Sequence, residues 1–334
     1  MRCSAEIHPC GARPIDDRPA LLRQRRPALL PGGRSNTAVI YGCIDIGSNT
    51  TRLLVAADGG KPLHHLVAQR SFTRIGASLG DDGRIHQEKI AETAAVAGAQ
   101  ARLARELGAG TVAAVATAAV RDAVNREELV AAVEDTAEVE LRVLDSTEEA
   151  RLSFVGATRT LLEPAPGTIA VTDVGGGSTE IAVGAPDGTV EWSHSVDVGS
   201  GALAYAHLRS DPPTATELDA ARDHVDGLFD GLAPPAATMG VAVGGTATSL
   251  HRLVGGQLDE RTLAEGVRVL SGSPIEEVAR RFELDPERVR LLPAGMIVLG
   301  AVCGCLGLPL RIARGGLREG VILELMDASE SGGA

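Results

Sequence analysis

Two stretches of this 334-residue chain follow one plan: an apolar run that ends in Asp-x-Gly, a short polar loop, and a second apolar run. The first is residues 38–46, the loop Asp45-Ile46-Gly47-Ser48-Asn49-Thr50, and Thr51–Ala57. The second is residues 168–174, the loop Asp173-Val174-Gly175-Gly176-Gly177-Ser178-Thr179-Glu180, and Thr179–Gly184. Short apolar runs bounded by glycine and polar residues read as buried strands. The repeat therefore predicts two halves, each opening on a strand–loop–strand hairpin. A chain of this length is too long for one comfortable core and suits two domains.

The segments between the hairpins alternate strand and helix. Residues 87–107 carry Ile90, Ala94, Ala97, Ala101 and Ala104 at helical spacing. Thr111–Ala116 reads as a strand, 126–133 as a helix, 139–144 as a strand and 148–162 as a helix. In the second half, Pro186-Asp187-Gly188 marks a turn between Thr179–Gly184 and residues 189–196. Helices follow at 216–232, 246–253 and 274–282, the last with a capping box at Ser273-Pro274-Ile275-Glu276 and proline at its first position. The fold class is α/β in two domains.

The loops carry the chemistry. Glycine lets backbone N–H groups approach a phosphate closely, and hydroxyls add donors. Gly47, Ser48, Asn49 and Thr50 form one candidate phosphate loop, and Gly175, Gly176, Gly177, Ser178 and Thr179 a second. Gly244, Gly245 and Thr246, between a short strand and a helix, form a third. An Asp at the head of such a loop repels phosphate, and its economical role is to hold a bridging divalent cation. Asp45 and Asp173 stand at those points, 128 residues apart. Taken singly, each loop is also an ordinary turn. Two such loops facing each other across a cleft resemble the superfamily of actin, the sugar and acetate kinases and the chaperone ATPases, which implies two actin-like (ribonuclease H-like) domains.

Composition removes several alternatives. A net charge of −12 argues against a nucleic-acid or anionic-membrane binder. Aromatics at 2% make base stacking an unsuitable main mode. The 30 Arg against 2 Lys accompany 40 Gly and read as genomic base bias. The five cysteines lack zinc spacing and suit a reduced, cytoplasmic chain. Residues 1–36, with seven Arg and five Pro, read as a disordered tail or an upstream start, and carry no apolar run of signal-peptide length. The apolar stretch 294–308 is broken by Gly, Cys and Pro, which argues against a membrane span and suits a homodimer interface as well as a core. Gly76-Ala77-Ser78-Leu79-Gly80 matches a nucleophile elbow but precedes Asp81-Asp82-Gly83 instead of a helix, so it reads as a loop. Asp58-Gly59-Gly60-Lys61 lacks the Ser or Thr of a P-loop.

Further motifs narrow the reading. Residues 116–125 (ATAAVRDAVN), Ser146-Thr147-Glu148-Glu149-Ala150-Arg151, Leu292-Pro293-Ala294-Gly295-Met296 and Gly315-Gly316-Leu317-Arg318-Glu319-Gly320 resemble, in order, the exopolyphosphatase and guanosine pentaphosphate phosphatase (Ppx/GppA) family. The resemblance runs from about Val39 to Met326 and is of the short-chain type, without a C-terminal His-Asp metal domain. It implies a first domain at 37–147, completed by a helix near 317–328, and a second at 148–316. It implies Glu149 as the base that activates water, although Ser146 and Glu149 also match a capping box. It implies Asp173, Glu180 and Asp45 as holders of Mg2+ or Mn2+, and Arg52 and Arg121 as phosphate contacts. Arg314 and Arg318 would line the path of a long polyanion. The implied reaction is removal of the terminal phosphate of inorganic polyphosphate. The alternatives are a pppGpp 5′-phosphatase, a kinase and a non-catalytic actin-like scaffold. The Glu-Glu-Ala-Arg motif favours water over a kinase acceptor, and the motif set as a whole disfavours the scaffold.

Overall fold

The computed structural model describes residues 38–58, 63–80, 82–163 and 165–331. The tail expected over 1–36 and most of Asp58-Gly59-Gly60-Lys61 lie outside these.

The first half forms a sheet from β1 (Ile40–Ile46), β2 (Thr51–Ala57), β3 (His64–Ser71), β4 (Thr111–Ala116) and β5 (Leu141–Val143), in the order β3-β2-β1-β4-β5. β1, β2 and β3 run antiparallel in turn, whereas β4 and β5 continue parallel to β1. Between them lie α1 (Gln87–Glu106), α2 (Ala118–Arg121) and α3 (Arg126–Ala137). The helical spacing read in α1 holds, with Ile90, Ala94, Ala97, Ala101 and Ala104 buried against the sheet.

After α4 (Ser146–Arg159) the plan repeats. β6 (Ile169–Val174), β7 (Thr179–Gly184), β8 (Val190–Val196), β9 (Met239–Val243), β10 (Gln257–Leu258) and β11 (Leu310–Ile312) form a sheet ordered β10-β11-β9-β6-β7-β8. Without the edge strand β10, the order and directions match those of the first sheet. The duplication read from the two hairpins is thus a duplication of topology: an α/β fold of two ribonuclease H-like lobes. The second lobe also holds α5 (Ser200–His207), α6 (Ala215–Phe229), α7 (Gly244–Val254), α8 (Glu260–Gly272), α9 (Ile275–Phe282), α10 (Pro286–Val289) and α11 (Leu292–Leu306), before α12 (Leu317–Ser331) closes the chain.

Three expectations need correction. The box at Ser273 does not cap α9. Pro274 occupies the N-cap position without a side-chain bond, and Asp211, brought in from the loop before α6, accepts from the Ile275 N–H at 2.8 Å. The strand expected over 139–144 shortens to Leu141–Val143. The third concerns the stretch 294–308: the 21 residues Pro286–Leu306 are long and apolar enough to cross a membrane, yet Ala294, Met296, Val298, Leu299 and Val302 are buried in the second lobe's core.

The halves are joined by α4 and α12. Leu152 packs with Leu317, Val321 and Ile322 against Tyr41, Cys43 and Leu54 of the first sheet. Ala150, Phe154 and Ala157 pack against Ile169, Val171 and Val241 of the second. The helices approach closely enough that a Cβ on Gly156 would lie 1.9 Å from the Gly316 carbonyl oxygen, and one on Gly320 2.0 Å from that of Leu152. Gly156→Ala is expected to destabilise the protein by about 3 kcal/mol or more, because backbone cannot yield as a side chain does. Gly300→Ala, in α11 with nothing within 4 Å, is expected to be neutral or to stabilise by up to about 1 kcal/mol through helix propensity. Urea denaturation of both variants checks the contrast.

Candidate active site

The two Asp-x-Gly loops lie at the C-terminal ends of β1 and β6, where open α/β sheets place ligands. Each closes by the same bond, Gly47 N–H to Thr50 O and Gly175 N–H to Ser178 O, both 3.0 Å. They meet across the lobes: a Cβ on Gly177 would lie 2.7 Å from Ser48 Oγ. Together with Thr117, Ser200, Gly245, Thr246 and Arg288 they line a cavity of about 70 Å3, into which Asp45, Arg52, Glu149, Asp173 and Glu180 also face.

Matched registers place opposite charges in the two lobes. Asp45 pairs with Arg52 across β1 and β2, and at the equivalent point Asp173 pairs with Glu180 across β6 and β7. Directly opposed residues of antiparallel strands share a face, so the second lobe presents two carboxylates where the first presents one of each sign. Ser153 Oγ donates to Asp173 Oδ2 at 3.2 Å, and Ser195 Oγ to Glu180 Oε1 at 3.0 Å.

Glu149 sits in the first turn of α4, but the cap there is Asp145, whose Oδ1 accepts from the Glu148 N–H at 2.8 Å. The capping-box reading of Glu149 therefore does not hold in the structure. Its Oε2 meets Arg121 Nη1 at 2.9 Å, and the same nitrogen also donates to the Leu144 carbonyl. Burial, then the charge of Glu180, push the Glu149 carboxyl well above the usual carboxylate range, while Arg121 opposes the rise. Burial raises Asp45 and Asp173 as well, and pushes Glu180 up to about 7.

The third loop explains its glycines differently. Gly244 has φ +82°, and a Cβ there would lie 2.0 Å from Asp173 Oδ1. A Cβ on Gly245 would lie 1.9 Å from Nη2 of Arg52, which reaches over from the first lobe. Side chains of both lobes thus need this turn bare. Thr246 lines the cavity with its hydroxyl bonded to the Val174 carbonyl.

Other expected residues lie apart from the cavity wall. Thr179 turns its hydroxyl to the Val198 carbonyl, Gly244 backs Asp173, and Arg121 acts on Glu149. Arg318 donates to the Leu53 carbonyl at 3.4 Å, and Arg314 is exposed. The stretch that resembled a nucleophile elbow is a single turn, Gly76–Ser78, with Ser78 Oγ bonded to the Ile75 carbonyl.

The match to known proteins decides the family. Residues 53–329 match the model of the Ppx/GppA phosphatase family. The chain belongs to that family. Exopolyphosphatase 1 of Mycobacterium tuberculosis is 32% identical over 315 residues, 88% of this chain and 90% of that protein. Exopolyphosphatase 2 of the same organism is 33% identical over 252 residues, 72% and 78% of the two chains. The crystal structure of the Aquifex aeolicus Ppx/GppA family member superposes with a TM-score of 0.73 at 27% identity, covering 87% of this chain and 98% of that one.

Within this Ppx/GppA site, one group escaped the sequence reading. Arg288, on α10, is 4% exposed, and its Nε and Nη2 atoms are buried without a hydrogen-bond partner. Burial and the charges of Arg52 and Arg70 depress its basicity strongly. Arg52 is pushed down to about 10, by burial first and by Arg318 next. Buried guanidinium without a counterion is costly, and here it lines a cavity between phosphate loops. No feature of the sequence distinguishes this Arg from the others. Ser153, by contrast, lies one turn from Glu149 on the same helix face and was open to that inference.

Arg288→Met is expected to raise the thermal midpoint of the ligand-free protein by about 2 °C or more, since it removes an uncompensated charge. The stabilisation that tripolyphosphate gives the parent is expected to be largely lost. Thermal denaturation with and without tripolyphosphate reads both effects.

Proposed function

We propose that this Ppx/GppA phosphatase is an exopolyphosphatase that hydrolyses the terminal phosphoanhydride bond of inorganic polyphosphate and releases orthophosphate. The observation that carries it is the lining of the cavity. The buried Glu149 carboxylate, held by Arg121, lines the cavity with Asp173 and Glu180, and Arg52 and Arg288, the latter with guanidinium nitrogens that lack a partner, line it with the glycine loops. The likeness to the two mycobacterial exopolyphosphatases supports the choice of substrate.

In this reading the terminal phosphoryl group lies between the loops at 47–50 and 175–178, its oxygens taking the loop N–H groups, Ser48 and the guanidinium groups. Glu149 orients water for in-line attack and accepts its proton. The new P–O bond forms as the bridging P–O bond breaks, and the shortened chain leaves with the bridging oxygen. Phosphoryl transfer depends chiefly on positioning and charge stabilisation, which the arginines and loops supply. Arg121 keeps enough of Glu149 ionised for it to act.

The donor set bears on a divalent cation. No group of three metal-type side chains lies together among the described residues, so a dedicated protein cage is absent there. Asp173 and Glu180 lie directly opposite each other across β6 and β7, and burial, ahead of neighbouring charge, raises the proton affinity of both. A pair of carboxylates with water and phosphate oxygens suits Mg2+ or Mn2+. Asp173 and Glu180 would hold it with Asp45 beside them, and bound there it would neutralise phosphate charge. The proposal also includes a cytoplasmic setting, which rests on cysteine usage in the sequence; the apolar stretch 294–308 that suggested self-association packs largely into the second lobe's own core.

Orthophosphate release from long polyphosphate, short polyphosphate, pppGpp and ATP, at equal concentrations of chain ends with Mg2+ present, tests the proposal. Highest release from polyphosphate is expected. Preference for pppGpp would favour the alarmone phosphatase, and no release from any substrate would sink the hydrolase reading. Glu149→Gln is expected to lower turnover by about 10²-fold or more with little loss of binding. Because the base must be ionised and its carboxyl is raised, activity is expected to fall on the acid side at a pH above the ordinary carboxylate range. Arg121→Gln removes the charge that opposes the rise and should move that limb to higher pH. A pH–rate profile measures both.

A further inference from the structure

A further cavity, of about 220 Å3, is lined by none of the residues assigned to the hydrolysis. Ala204, Tyr205, Leu208, Arg209 and Arg290 line it. Two features of the fold link it to the catalytic cavity. Tyr205 donates its hydroxyl to Oδ1 of Asn49, which lines the inner cavity, at 3.4 Å. Arg288 and Arg290, two residues apart at the end of α10, line the inner and the outer cavity respectively.

The ionised groups lining the outer cavity are of one sign. Among the described residues neither Arg209 nor Arg290 makes a side-chain hydrogen bond or ion pair, the Arg209 backbone N–H alone being held by Glu217. Of the neighbouring carboxylates, Glu287 is taken by Arg74 at 2.8 Å, and Glu217 accepts from the backbone N–H groups of Arg209, Ser210 and Thr214. Two uncompensated guanidinium groups beside a phosphate-binding cavity favour a polyanion that continues from one to the other. A guanine base would offer O6 and N7 to the same arginines but finds no carboxylate in the lining for its N–H donors, so pppGpp is the competing occupant that the test distinguishes.

We propose that the outer cavity binds phosphates of a condensed-phosphate chain behind the terminal unit, so that Arg209 and Arg290 set a preference for longer chains. This rests on the exopolyphosphatase reading of the inner cavity and adds a chain-length determinant within the second lobe. Arg209 and Arg290 are exposed and make no structural bond, so their removal leaves the fold and the catalytic groups in place.

The test combines kinetics with binding. An Arg209→Ala/Arg290→Ala variant is assayed for orthophosphate release from tripolyphosphate and from chains of many tens of phosphates. The same pair is placed in the Glu149→Gln background, and equilibrium binding of the long chain is measured there without turnover. The expected result is a rise in KM for long chains of about 10-fold or more, with kcat and the tripolyphosphate KM unchanged, and matching weaker binding in the Glu149→Gln background. An unchanged long-chain KM, or an equal rise for tripolyphosphate, overturns the proposal, as does a loss confined to pppGpp, which would mark a base pocket. If the parent cleaves no polyphosphate, the catalytic reading fails, and the binding comparison alone decides whether the outer cavity holds the chain.

Discussion

The close crossing of α4 and α12 is the contact on which the site depends. Gly156 on one helix and Gly320 near the start of the other bring the backbones together with no room for a methyl group, Gly156 lying against the Gly316 carbonyl. A Cβ on Gly315 would likewise lie 2.1 Å from the Gly156 carbonyl oxygen. Packing at that distance behaves as a fixed joint, because interiors are dense and backbone has no alternative rotamer. Glu149 lies two turns before Gly156 on α4, and Arg318 lies between Gly316 and Gly320. The joint therefore sets where the carboxylate of Glu149 stands relative to the floor of the cleft. It also ties the lobes, since α4 gives Leu152 to one sheet and Phe154 to the other.

Duplication gave the site its frame, and departure from duplication gave it its chemistry. The hairpins agree in topology, in loop closure and in the Asp that heads each loop. They differ at the residue opposite that Asp, which is Arg52 in the first lobe and Glu180 in the second. Asp45 and Arg52 offset each other in part, although burial still raises the proton affinity of the one and lowers that of the other. A pair of like charge, held on one sheet face in a buried cleft, attracts a cation or a proton. The asymmetry leaves one guanidinium and one carboxylate from the first lobe, and two carboxylates from the second, on the wall of one cavity.

The hairpins, the three loops and Glu149 were legible because their signals are local: apolar runs, glycine clusters and a short motif. The helix α11 was not read as an element, because its glycines and cysteines obscure the period and because an apolar stretch suits several environments equally. Its role as the central helix of the second core depends on what the rest of the lobe packs around it. The cap of α9 was misread for a similar reason: Asp211 lies 64 residues upstream of the N–H it accepts. Arg288 is the clearest limit. Its meaning lies in guanidinium nitrogens buried without a hydrogen-bond partner, which is a property of the assembled cleft. The glycines of the third loop were read as room for a phosphate, whereas the space they leave is taken up by Arg52 and Asp173.

Burial works on Glu149 in two directions at once. Withdrawing the carboxylate from water strengthens it as a base, and Glu180 and Asp173 strengthen it further. The same influences favour its protonated form, in which it cannot accept a proton from water. Arg121 is the group that opposes them, through one short ion pair on a nitrogen also anchored to the Leu144 carbonyl. Phosphate entering the cleft would add negative charge, and a cation held by Asp173 and Glu180 would offset it. The working basicity of Glu149 is thus a property of the filled cleft. It is set by how far Arg121 and the occupants of the cleft balance the desolvation that makes the carboxylate reactive.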